Sequence, residues 1–281
     1  MKISAKLFFL ASVWGFAMSA HALVISVTEG VTYRASDTEI EARFEPIAKV
    51  LGAAIKQPVK IRVISSYNGL RDALKQGQID VAFIHPAHLA LEAIKSGSFR
   101  SAAWTMGFTE YKVSLLCKEP QQPIQNWTSV TGNSFVTPDP DSITAVMMRA
   151  MLKEHGLKPT DVKLHAIQPN DVKLQTTRYQ DAVPFYVENG FATYGATASG
   201  SVVKAWKDKG GKICANSRPV PIKQWITSTK LDAATSSAVR ETLLSLGQSD
   251  AGKRALATST YTGFLAPSED TEKMLIVWLG L

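Results

Sequence analysis

The sequence predicts an α/β protein with largely parallel sheets, arranged as two lobes. From Leu23 onward, short apolar runs rich in β-branched residues alternate with stretches whose apolar residues recur at helical spacing. The segment Glu119-Pro120-Gln121-Gln122-Pro123 interrupts the alternation, and a second series of the same kind follows it. A chain of 281 residues is long enough for one large domain or for two lobes with their own cores. The internal break favours two.

The first strand is expected over 24–27. Ser36-Asp37-Thr38-Glu39 has the capping-box pattern, and Ile40, Phe44, Ile47, Leu51 and Ala54 follow at helical spacing, with Pro46 predicting a kink or a late start. A second strand falls over 59–64, and Asn68 is expected to cap a short helix that ends at Gly77. Ile79-Asp80-Val81-Ala82-Phe83-Ile84 reads as a buried strand, and Pro86 suits the first turn of a helix closing near Gly97. Strands over 101–108 and 111–117 complete the first series. The second contains a strand over 134–137, a helix from Ile143 to Gly156, a strand near 162–166, a helix over 178–189 and a strand over 191–194. Strands over 212–215 and 222–227 flank Pro219 and Pro221, and 232–281 reads as helical apart from a turn at Tyr261-Thr262-Gly263.

Lys2 and Lys6, the apolar run from Leu7 to Met18 and Ala20-His21-Ala22 follow the order of a secretory signal, so residues 1–22 are expected to be removed after Ala22 and the mature chain exported. Only Cys117 and Cys214 are present, and in an oxidising compartment they allow a disulfide, two buried thiols, or a metal or reactive role. The formal charge of +7 is spread thinly along the chain, which gives no support for nucleic-acid binding. No Ser/His/Asp ordering, nucleophile elbow, Walker loop or metal-hydrolase motif is present, so catalysis is not expected.

The most informative passage is Val136-Thr137-Pro138-Asp139-Pro140-Asp141-Ser142-Ile143-Thr144-Ala145. Here an apolar strand turns into a long amphipathic helix with Ser142 as N-cap. The hydroxyls of Ser142 and Thr144 stand beside unsatisfied N–H groups at the positive end of the helix dipole, which suits a phosphate-like or carboxylate group. An ordinary capped helix start is the plainer reading.

Four runs carry a family resemblance: Ala42-Arg43-Phe44-Glu45-Pro46-Ile47-Ala48, Gly77-Gln78-Ile79-Asp80-Val81-Ala82-Phe83-Ile84-His85-Pro86, Tyr111-Lys112-Val113-Ser114 and Asp139-Pro140-Asp141-Ser142-Ile143-Thr144. In this order they resemble the periplasmic solute-binding proteins of phosphate, phosphite and phosphonate ABC importers, over essentially the whole mature chain. The resemblance implies a type II periplasmic-binding-protein fold, with two lobes joined by two crossing strands and a small-molecule ligand closed between them by a hinge. One lobe would comprise 23–112 plus 222–281 and the other 113–221. It also implies a protein that serves an ABC permease, with a membrane sensor kinase as the alternative partner, acts as a monomer and carries no cofactor. Where the family has Ser-Thr-Ser-Gly, this chain has Ser142-Ile143-Thr144-Ala145. Where it tends to have Gly-Pro and then tyrosine, this chain has His85-Pro86-Ala87-His88.

The candidate ligand-binding residues are therefore Tyr33, Tyr67, His85, His88, Tyr111, Ser142, Thr144, Arg178 and Tyr179. Tyr33 and Tyr67 stand at strand ends and Tyr111 at the crossing, where they line a ligand site or simply pack, and Tyr179 follows Arg178 in the later helix. Arg178 is the candidate charge partner, since a guanidinium grips an oxyanion with two donors; the alternative is a solvated arginine at a helix start. His85 and His88, three apart at a helix start, allow a metal or haem pair, hydrogen bonds to a ligand, or a structural role.

Overall fold

The computed structural model describes residues 22–29, 35–118, 123–161 and 170–281, organised by two six-stranded sheets. The first holds β1 (Leu23–Glu29), β2 (Val59–Val63), β3 (Val81–His85), β4 (Phe99–Thr105), β11 (Gln224–Ser228) and β12 (Phe264–Leu265), in the order β12-β4-β11-β3-β1-β2. The second holds β5 (Ser114–Cys117), β6 (Ser134–Thr137), β7 (Lys158–Asp161), β8 (Asp171–Thr176), β9 (Tyr194–Thr197) and β10 (Lys212–Asn216), in the order β10-β5-β9-β6-β8-β7.

Strands β2, β1 and β3 run parallel, as do β9, β6, β8 and β7. The first strand after each passage between sheets runs against its neighbours: β5 is antiparallel to β9 and β10, and β11 is antiparallel to β3 and β4. The reason is geometric. The parallel strands end at the cleft, whereas a strand arriving from the other sheet starts there and must point away. The two passages touch through an isolated antiparallel bridge between Tyr111 and Val220, with Val220 N–H donating to Tyr111 (2.9 Å) and Ile222 N–H to Phe108 (2.9 Å).

The helices are α1 (Asp37–Ile55), α2 (Tyr67–Lys75), α3 (Ala87–Lys95), α4 (Ile143–Glu154), α5 (Val183–Glu188), α6 (Gly200–Asp208), α7 (Ala233–Ser245), α8 (Asp250–Leu256) and α9 (Glu269–Leu279). Helix α1 opens on the full Ser36–Glu39 capping box and runs through Pro46 without a late start. Ser66, not Asn68, caps α2, accepting from Gly69 N–H at 3.1 Å. The helix expected over 178–189 is shorter, with a 3₁₀ turn at Gln180–Ala182 and α5 beginning only at Val183. Pro184, lacking an N–H, fits only a first turn. Strand β4 starts and stops earlier than expected, and the chain turns at Gly107, whose φ of 77° suits glycine. Helix α6 and strand β8 are additional elements, and the strand expected over 162–166 lies outside the described residues, as does Tyr33.

The first core packs Phe44 of α1 against Phe83 of β3 (centroids 4.8 Å), and Phe83 against Trp225 of β11 (5.2 Å). A second core joins the two sheets. Ala87 and Leu91 of α3, Val146, Met147 and Met151 of α4, and Leu275 and Leu279 of α9 form one buried cluster with Val113, Val220 and Ile222 of the crossing segments. Helix α9 thus returns from the end of the chain to wedge between a helix of each sheet. Cys117 and Cys214 are joined by a disulfide between β5 and β10, with Cα atoms 6.0 Å apart. Among the described residues no helix is long and apolar enough to cross a membrane.

Candidate functional site

In an α/β layer each helix starts where the preceding strand ends, so strands aimed at a common cleft deliver helix amino termini to it. Four do so here. A cavity of about 500 Å³ lies between the sheets, lined by Tyr67 at the start of α2 and Pro86 before α3 on one side, and by Ser142 and Thr144 of α4 and Ser199 and Ser201 of α6 on the other. The first-turn N–H groups of a helix have no intrahelical acceptor, and the macrodipole makes that end positive. Four such ends make the cavity receptive to negative charge.

The α4 end is built by its turn. Asp139 accepts from Asp141 N–H through its side chain (2.9 Å) and from Ser142 N–H through its carbonyl (2.9 Å), which folds the chain tightly after β6. Ser142 Oγ then caps the helix, accepting from Ala145 N–H at 3.2 Å. Thr144 Oγ1 shares a hydrogen bond of 3.2 Å with the hydroxyl of Tyr111 on the crossing segment. Burial raises the Tyr111 pKa, opposed by its hydrogen bonds to Thr144 and Gln180, so this hydroxyl stays protonated as a donor. Gln180 also accepts from Thr197 Oγ1 (3.0 Å) and Ala198 N–H (2.6 Å), fixing the cavity wall after β9.

The opposite floor is formed where β3 ends and β11 begins. His85 Nδ1 lies 3.2 Å from the Glu29 carbonyl, and burial, aided by the nearby Lys223 charge, lowers its pKa to about 3, so the ring is neutral at physiological pH. Lys223, just before β11, is 3% exposed and lines the cavity. Its Nζ donates to Tyr261 Oη at 3.0 Å and sits over the rings of Phe108 (4.5 Å) and Tyr261 (4.8 Å). Tyr261 donates in turn to Glu29 at 2.5 Å, and Glu29 is ion-paired with Arg43.

Residues 30–271 match the Phosphonate-bd family, described as ABC transporter, phosphonate, periplasmic substrate-binding protein. The chain belongs to this family. Among solved structures, XAC2383 from Xanthomonas citri bound to ATP is similar over 92% of this chain and 96% of its own, with a TM-score of 0.72 at 14% identity. PhnD1 from Prochlorococcus marinus in complex with methylphosphonate is similar over the same shares, with a TM-score of 0.61 at 13% identity. The periplasmic aliphatic sulphonate binding protein SsuA from Escherichia coli reaches 0.51 at 12% identity, over 92% of this chain and 78% of its own. At such identities these likenesses show the fold, which is that of type II periplasmic binding proteins. No curated protein matches the sequence.

Of the candidates expected from sequence, Tyr67, His85, Tyr111, Ser142, Thr144 and Tyr179 line the cavity together. His88 and Arg178 do not. Arg178 lies over the Tyr179 ring, 5.1 Å from its centroid. His88 is buried in the seam between α3 and α4, edge-on to Tyr67 (6.2 Å) and 4.0 Å from Asp141, with neither ring nitrogen hydrogen-bonded. Among the described residues no group of three or more His, Cys, Asp or Glu converges as a metal site. Sequence reasoning missed Lys223, Gln180, Asp181, Ser199 and Ser201. Ser199 had a visible signal, a hydroxyl ahead of Val202, Val203 and Trp206 at helical spacing. Lys223 had none beyond its place between the second crossing segment and an apolar strand.

Outside the cavity, Arg71 of α2 joins the two sheets at the rim. It donates to both carboxylate oxygens of Asp141 (2.8 and 2.9 Å) and, on its own side, to Glu92 of α3 (2.9 and 3.2 Å). The guanidinium holds the Asp141 pKa below the usual carboxylate value.

Proposed function

We propose that this protein captures a small oxyanionic solute of the phosphonate, phosphite or phosphate type in the cavity between its lobes and delivers it to an ABC permease. The reading rests on one observation above all: four helix amino termini meet at a cavity also lined by hydroxyl groups and a lysine. The lobes comprise about 23–112 plus 222–281 and 113–221, and the paired crossing segments around Tyr111 and Val220 act as the hinge. Export to the periplasm as a monomer, after removal of residues 1–22, accords with the Cys117–Cys214 disulfide, a bond favoured in oxidising compartments.

The test is titration of the mature protein with inorganic phosphate, phosphite, methylphosphonate and ATP, repeated on Ser142→Ala combined with Thr144→Ala. A hydrogen bond to a charged group contributes about 1.5–3 kcal/mol, so the double variant should lose at least roughly tenfold in affinity for the best ligand. Ser142→Ala also removes the α4 cap, about 1 kcal/mol of stability, so affinity must be read by calorimetric titration and not from melting alone. Unchanged affinity in the double variant, or no binding of any of these anions by the wild type, would overturn the assignment.

A further inference from the structure

The cavity is larger than the head group assigned to it. A water molecule's share of the liquid is about 30 Å³, so a cavity of about 500 Å³ corresponds to roughly sixteen waters, whereas phosphate or methylphosphonate has the bulk of only a few. The excess is not the gape of separated lobes, because Arg71 already bonds Asp141 across them (2.8 and 2.9 Å) and α3 packs with α4 in one buried core. A volume of this size suits a ligand with an organic part.

We infer that the site takes an oxyanion carrying a bulky, neutral, ring-bearing substituent, with the head group held at the α4 hydroxyls and the ring lying in a groove between α5 and α6. The inference rests on the oxyanion reading and deepens it.

The excess volume has a direction. A second cavity, of about 410 Å³, lies between α5 and α6, and it shares Asp181, Ser201 and Val202 with the first. These three are exposed or half-buried, so they form a rim open to solvent and not a sealed wall. Beyond the rim, Val202, Ala205 and Trp206 stand at positions i, i+3 and i+4 on one face of α6, across from Pro184 and Phe185 of α5. At the far end Lys209 of α6 pairs with Glu188 of α5 (3.1 Å), which bounds the groove and offsets both charges there.

The chemistry changes along this route. Hydroxyls and helix ends line the first cavity, while apolar side chains dominate the walls of the second. Two rings flank the way between them and are left largely uncovered: Tyr179 in the first cavity is 42% exposed and Phe185 in the second 55%. Phe185 is braced, with Phe191 (centroids 5.9 Å) and Tyr186 (6.1 Å) against it, so its free face is presented and not merely loose. Uncovered apolar surface beside a cavity marks a place where a ligand or partner removes it from water, and an aromatic substituent offers the largest apolar area for few rotatable bonds. Asp181, the charged member of the rim, disfavours a second anionic group passing it, which fits a neutral substituent.

The experiment is calorimetric titration of the mature protein with inorganic phosphate, methylphosphonate, aminoethylphosphonate, phenylphosphonate and phenylpropylphosphonate, on the wild type and on Phe185→Ser and Ala205→Glu, both at exposed positions. The two aryl compounds differ in reach, and the better of them should bind the wild type about tenfold tighter than methylphosphonate does. Each variant should remove most of that gain and leave methylphosphonate affinity within about twofold of wild type. If phosphate or methylphosphonate binds but neither aryl compound gains more than about threefold, or the gain survives in either variant, the groove has no such role and the oxyanion reading stands. Aminoethylphosphonate binding tighter than both aryl compounds would place an ammonium group at Asp181 and overturn the inference in the same way. If the wild type binds none of the five, both fall.

Discussion

The imidazole of His88 sits 1% exposed in the seam between α3 and α4 with no hydrogen bond to either ring nitrogen. Burial lowers its pKa from 6.5 to about 4, outweighing the attraction of Glu92 and Asp141 for the protonated form. The sign for stability is definite. The unfolded chain takes up this proton near pH 6.5 and the folded chain only near pH 4, so the folded state is progressively disfavoured as pH falls through that window. The loss amounts to roughly 3 kcal/mol once pH is below 4. His88→Leu should therefore be neutral or stabilising at pH 7, since no hydrogen bond is lost, and should flatten the decline in stability between pH 6.5 and 4. Urea unfolding at pH 7 and pH 4.5 checks this, and an unchanged acid dependence would reject it. From sequence, His85 and His88 formed one pair three residues apart. Their separation into a cavity wall and a sealed seam depends on which neighbours cover each ring, and local spacing does not encode that.

At the scale of elements, two contacts distant in sequence hold the site in shape. The disulfide ties β5 to β10 at an irregularity where the pairing shifts between Ile213 and Ala215, and Cys214 occupies the extra position. Because it closes a long loop, with a separation of 97 residues, its reduction should remove about 2–4 kcal/mol. Calorimetric melting with and without reductant should show a clear drop in Tm, absent in a Cys117→Ala/Cys214→Ala variant. The second contact is the Arg71 clasp from α2 to Asp141, directly before the Ser142 cap. It is partly exposed, so its contribution to stability is about 1 kcal/mol or less and is screened by salt. Its consequence is geometric, because it holds the α4 amino terminus against the other lobe. Arg71→Met should raise the radius of gyration of the ligand-free protein in X-ray scattering and weaken ligand binding by less than tenfold. An unchanged radius would show that the seam alone sets the lobe spacing. The capping box of α1 and the Ser142 cap were legible because caps are local, while Ser66 displaced Asn68 because the helix already begins at Tyr67, which puts the Ser66 hydroxyl within reach of Gly69 N–H.

Across the whole molecule, α9 carries the chain end back into the seam shared by both lobes, with Leu275 and Leu279 buried against α3 and α4. Leu275→Ala should cost about 2–5 kcal/mol through the cavity it leaves. Because that cluster also contains the crossing residues Val113, Val220 and Ile222, the variant should still melt in one transition at lower temperature. Two resolved transitions would mean that the lobes unfold independently. The alternating pattern, the break at 119–123 and the caps determined the α/β class, the two series of elements and the position of the Ser142–Thr144 hydroxyls, because each is written in residues close together in the chain. Only the tertiary structure decided which charge lines the cavity, which histidine is sealed away and that the cysteines pair. Lys223 meets Tyr261 and Tyr261 meets Glu29 across separations of 38 and 232 residues, and local periodicity carries no information about partners so far apart.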